Sequence, residues 1–111
     1  MTLQTIPKPT HMTPVEFRIV RRILALALGK GYTVSVNDDP HAGGDWVVKR
    51  SRDLAEIMSS LASTGGDFLK FRDTDGNPIG AICLVYNGDD SVVADCSEGP
   101  EVAYLLDEHF A

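Results

Sequence analysis

The chain has 111 residues, 43% of them hydrophobic, with 10 Lys and Arg against 16 Asp and Glu and a formal net charge of −6. That length suits one domain with one core, the composition excludes wholesale disorder, and no run approaches the ~20 apolar residues of a membrane-spanning helix. The acidic balance opposes approach to a phosphate backbone, which argues against nucleic acid as a partner.

Residues 1–12 carry two prolines and little to bury, so a flexible tail is expected ahead of a single domain over 13–111. The tail holds no apolar stretch of signal-peptide length, and a cytoplasmic location is the corresponding expectation. The domain opens on a strong helix signal. Thr13 stands as N-cap, Pro14 at the first helical position and Glu16 three residues after the cap, a capping box that Met12 and Phe17 can staple. Phe17, Val20, Leu24 and Leu28 recur at helical spacing, with Ile23 and Ala27 beside them. Gly29 or Gly31 supplies the left-handed residue that ends the helix.

The period then changes to alternation. In "YTVSVND", Tyr32, Val34 and Val36 face one way and Thr33, Ser35 and Asn37 the other. "DDPHAGGD" is turn chemistry, and "WVVKR" is the return strand. Ser51 is placed to cap a second helix with a stripe of Leu54, Ile57, Met58 and Leu61, stopped by Gly65 and Gly66. A three-stranded meander follows, "FLKFR", "IGAICLVY" and "SVVADC", and then a terminal helix burying Val102, Leu105 and Leu106. The order α-β-β-α-β-β-β-α predicts an α+β fold: a mostly antiparallel sheet of about five strands with helices packed mainly on one face.

Few motifs carry chemistry. "DTDGNPIG" resembles the start of a calcium loop, but its sixth residue is Pro78 and its twelfth Leu84, where an EF-hand requires Gly and Glu. It reads as a hairpin turn. "HAGGDW" lacks the Gly-Lys-Ser/Thr ending of a phosphate loop, and the two cysteines, Cys83 and Cys96, read as free thiols buried in strands. No cofactor or metal is implied. His41, near Asp39 and Asp45, is the one setting for acid-base work. Arg18, Arg21 and Arg22, and the group Lys49, Arg50 and Arg52, read as solvated faces, and no alternation of aromatic and basic residues points to base stacking.

Two features point to association. Residues 1–72 hold all ten bases against seven acids, whereas residues 73–111 hold nine acids and no base. Such asymmetry predicts an acidic docking surface for a basic protein, with Asp89, Asp90, Glu98 and Glu101 as contacts. The strand "IGAICLVY" is apolar on both sides, Ile79, Ala81, Cys83 and Val85 on one and Ile82, Leu84 and Tyr86 on the other. Helices covering one side would leave the other for a homodimer, assigned to Ile82, Leu84 and Tyr86. The resulting expectation is a small, acidic, non-enzymatic protein-binding module of the accessory kind that phages and plasmids carry. The alternative is a small enzyme or ligand-binding protein built on His41 with Asp39 or Asp45.

Overall fold

The computed structural model describes residues 12–37, 46–62, 66–88, 91–94 and 99–110, residues 107–110 by their backbone only. Helix α1 (Pro14–Gly29) begins as its capping box demands. Thr13 Oγ1 accepts the Glu16 backbone N–H at 3.3 Å, and the Glu16 carboxylate accepts the Thr13 backbone N–H at 2.9 Å. At the other end the Tyr32 N–H reaches the Ala27 carbonyl and the Gly31 N–H that of Leu28, a Schellman close around Gly31 at φ +85°. Gly31 is also the point of closest approach to the turn after the third strand. A Cβ there would stand 2.7 Å from Thr74 Cγ2.

Strands β1 (Thr33–Asn37) and β2 (Trp46–Ser51) pair antiparallel, and β3 (Gly66–Arg72) pairs antiparallel with β4 (Pro78–Val85). β1 lies beside β3, so the sheet order is β2-β1-β3-β4. The short helix α2 (Leu54–Ser59) connects the two hairpins. Its N-cap is Asp53, whose carboxylate accepts the N–H groups of Ala55 and Glu56. Ser51, expected in that role, instead closes β2 and accepts the Asp53 N–H at 3.0 Å. The helix also stops before its glycine pair. Ala62 adopts a left-handed φ of +60° and donates its N–H to the buried Asp67 carboxylate at 2.8 Å, which turns the chain into β3.

Helix α3 (Pro100–Phe110) completes the fold. Ahead of it, the expected fifth strand is reduced among the described residues to one bridge between Val93 and Leu84. Ladder hydrogen bonds there run from Val85 N–H to Val92 and from Ala94 N–H to Cys83. Gly99, at φ +105°, lies against β4, where a Cβ would meet the Ile79 carbonyl and the Gly80 Cα. Among the described residues the sheet has four strands.

One face of the sheet makes the core. Val34, Val36, Val48, Leu69, Phe71 and Ile82 join the buried residues of all three helices in a single cluster. Each fully buried Val, Ile, Leu or Phe contributes about 1.5–3 kcal/mol. A carboxylate is buried among them. Glu16 is 0% exposed, and besides serving the α1 cap it accepts the Gly88 N–H at 3.1 Å, from the turn after β4. Burial opposes its ionisation, but hydrogen bonds from Thr13, Gly88 and Asn87 outweigh that and hold its pKa below the usual 4.5. Glu16 thus ties the start of α1 to the far end of the chain.

A lowered folded pKa stabilises the native state above the ordinary value of 4.5 and ceases to do so as the pH falls through it. Glu16→Gln is expected to cost about 1–3 kcal/mol near neutral pH, because uncharged Gln sets an amide N–H against backbone donors. Urea unfolding of both proteins should show that difference at pH 7 and a shrinking one below pH 4.5.

Candidate functional site

Successive side chains of a strand point to opposite faces of the sheet. Since Val34, Val36, Leu69, Phe71 and Ile82 face the helices, the residues between them face away. The register arranges that second face in rows. Trp46, Asn37, Phe68 and Cys83 stand in line across the four strands. The next row holds Ser35, Lys70 and Ala81, and the one beyond it Thr33, Arg72 and Pro78.

β2 adds to this face through a bulge. Val34 pairs with Ser51 and Val36 with Val48, so a two-residue step on β1 meets a three-residue step on β2. Arg50 absorbs the extra residue with a left-handed φ of +49°, uncommon for any side chain but glycine. Its N–H is held by Ser35 Oγ at 2.8 Å. Bulges re-aim side chains, and here Lys49 and Arg50, consecutive in sequence, line the same depression. That hollow of about 190 Å³ is bounded by Ser35, Trp46, Lys49, Arg50, Lys70 and Arg72. A second, of about 290 Å³, adjoins it across Trp46 and Lys70 and runs over Phe68, Pro78, Gly80 and Ala81.

Two properties of the face follow. Among the described residues it is cationic, because the only acid in the four strands is Asp67, which faces the helices at 3% exposure. Among the described residues no carboxylate pairs with Lys49, Arg50 or Lys70, while the Arg72 guanidinium donates to the Gly76 carbonyl at 2.9 Å. It is also aromatic. Trp46 is 38% exposed, and its ring meets Phe68 edge-on, with centroids 6.2 Å apart.

Asp67 serves the interior. It accepts the Tyr86 hydroxyl at 2.5 Å as well as the Ala62 N–H. Burial, then the Asp67 charge and the hydrogen bond to it, and then the Glu16 charge push the Tyr86 phenol well above its usual pKa. Tyr86 is therefore a neutral donor locked onto a buried carboxylate.

The residues singled out from sequence fall in several places. Ile82 and Leu84 are 0% and 2% exposed on the helix-covered side, with Tyr86 half-buried beside them. They are core residues, and the other side of β4 carries Ala81, buried at 3%, the half-buried Cys83 and Val85, 44% exposed. Glu101 is exposed in the first turn of α3. Asp89, Asp90 and Glu98 lie outside the described residues, as do His41, Asp39 and Asp45. Arg18, Arg21 and Arg22 are exposed on α1, away from the open sheet face.

Asp73 to Asn77 form the hairpin turn, with Asp73 Oδ1 accepting the N–H groups of Asp75 and Asn77 at 2.9 and 3.0 Å. Cys83, expected as a free buried thiol, is half-buried and disulfide-bonded, where the segment through Ala94 returns alongside it. Cys96 lies outside the described residues. Among the described residues there is no group of three or more His, Cys, Asp or Glu side chains that could hold a metal ion, and no helix is long and apolar enough to cross a membrane. No protein family, curated protein or solved structure matches the chain.

The cationic face was missed from sequence although a signal for it was present. In "FLKFR" every second residue, Phe68, Lys70 and Arg72, belongs to one side of a strand.

Tyr86→Phe separates a core role from an associative one. Loss of the donor to a buried carboxylate should cost about 1–3 kcal/mol in urea unfolding, while the sedimentation coefficient of the folded protein stays that of the wild type.

Proposed function

We propose that the protein is a non-enzymatic binding module whose open sheet face docks an anionic partner. The observation that carries this reading is the gathering of Lys49, Arg50, Lys70 and Arg72 from two separate hairpins around one pair of hollows, with no described carboxylate on that face. Cations brought together without counter-charges repel one another and raise the local potential. A bound anion relieves that repulsion. Arg50 adds a second argument, since a non-glycine residue at positive φ costs about 1–3 kcal/mol and such strain concentrates at functional positions.

A second reading keeps the acidic C-terminal third as a docking surface for a basic protein. It is supported by α3, where Tyr104 is 71% exposed three residues after the exposed Glu101. An exposed tyrosine beside an acid is a common anchor for a cationic side chain. The two readings use different surfaces and do not compete for residues.

Immobilised heparin, a generic polyanion, tests the first reading. The wild-type protein should be retained at low salt despite its net charge of −6 and released as salt rises. Lys49→Glu combined with Lys70→Glu should flow through. Arg18→Glu combined with Arg21→Glu, which makes the same charge change on α1, should be retained. Flow-through of the wild-type protein, or equal loss in both double variants, would remove the case for the sheet face.

A further inference from the structure

Resting on the anion-docking reading, we infer that the occupant of the open face is a single-stranded nucleic acid, its bases stacked on Trp46 and Phe68 and its phosphates held by Lys49, Arg50, Lys70 and Arg72.

Charge alone would accept any polyanion. The rings narrow the choice. The chain has one tryptophan, and it stands on the surface of a sheet in the same row as Phe68, with cations in the next row. Same-face residues along a strand are about 6.7 Å apart and neighbouring strands about 4.8 Å apart. Phe68, Lys70 and Arg72 therefore set one ring and two cations in line over about 13 Å of β3, with Trp46 and the Lys49–Arg50 bulge alongside. Unpaired nucleotides present both a flat apolar base and a charged phosphate, and aromatic platforms inside basic grooves are how proteins hold them without strong sequence preference. The face is sized for on the order of four nucleotides, the small end of such platforms.

Other anions fit less well. An acidic peptide would satisfy the cations but bring no flat surface for Trp46 and Phe68. A duplex keeps its base faces stacked inside and is entered by a projecting helix or two-stranded ribbon. Among the described residues none rises from this face. A second copy of the chain, docked face to face, would set these cations against their own like charges.

Fluorescence anisotropy with labelled 15-residue oligothymidylate and oligouridylate tests the inference, with duplex DNA of equal length and polyglutamate as competitors. Both single strands should bind, with log affinity falling against log salt at a slope of about −3 if all four cations meet phosphates. Duplex and polyglutamate should compete at least tenfold more weakly. The fluorescence of Trp46 in the unaltered protein should be quenched by the oligonucleotides and not by polyglutamate, a readout that needs no substitution. Trp46→Leu, checked for folding by circular dichroism, should weaken binding about tenfold with little change in salt slope. Lys70→Glu should weaken binding and flatten the slope.

The outcomes separate this inference from the reading beneath it. Retention on heparin through Lys49 and Lys70, together with equal affinity for polyglutamate or no quenching of Trp46, would overturn the stacked strand and leave an anionic protein as the occupant. Tighter binding of duplex than of single strand would overturn it equally. Failure to bind heparin or any oligonucleotide would overturn both.

Discussion

The pairing of β1 with β3 is the constraint on which the rest of the molecule depends. Each of these strands has its hairpin partner on the outside, β2 for β1 and β4 for β3, so their five residue pairs are what make two hairpins into one sheet. The core exists on one side of that join because Val34 meets Phe71 and Val36 meets Leu69 across it. The cationic face exists on the other side for the same reason. Lys49 and Arg50 come from the first hairpin, Lys70 and Arg72 from the second, and Ser35 lies between them holding the bulge in shape. Loop-closure entropy opposes such non-local pairing, and the α1 Schellman close and the α2 cap direct the chain into it from both sides.

Several of the described carboxylates are taken up away from the open sheet face. Asp67 shares β3 with Lys70 and Arg72 but lies on the other side of the pleat, consumed by Ala62 and Tyr86. Glu16 is consumed by the α1 cap and the Gly88 turn. Asp73, next to Arg72 in sequence, is occupied by the backbone of its own turn. The molecule measures 39 × 33 × 29 Å, several times the ~8 Å over which salt screens exposed charge at physiological strength. Net charge describes the whole chain and not the potential at any one surface.

The legibility of the fold followed the range of the interactions. The α1 cap, its glycine stop, the buried stripes of α1 and α3 and four of the strands could be read because each is written in residues a few positions apart. What could not be read depends on partners distant in sequence. Asp53 displaces Ser51 as cap, and α2 ends at Ser60 because Asp67, in the following strand, captures Ala62. Which side of "IGAICLVY" would be covered is decided by its register with β3, since Leu69 opposite Ile82 commits that side to the core. Assigning self-association to Ile82, Leu84 and Tyr86 picked the wrong side for that reason. The bulge at Arg50 leaves no composition signal at all.

The open face also protects the register that creates it. A slip of one residue along β3 would carry Phe68, Lys70 and Arg72 toward the helices and turn Asp67, Leu69 and Phe71 outward. Leu69 and Phe71 would lose about 1.5–3 kcal/mol each of burial. Two cations would enter an apolar interior, which costs several kcal/mol per unpaired charge. Asp67 would lose Ala62 and Tyr86, and α2 its present ending. A strand whose two faces were both apolar would have no such protection, and β4, with Ala81, Cys83 and Val85 opposite Ile82 and Leu84, is close to that case. β4 takes its register instead from the Asp73 turn, from Glu16 on the Gly88 turn beyond it, and from pairing with the strongly polarised β3. The same lysine and arginine that make the face fit for an anion thus hold the sheet in the one alignment that displays them.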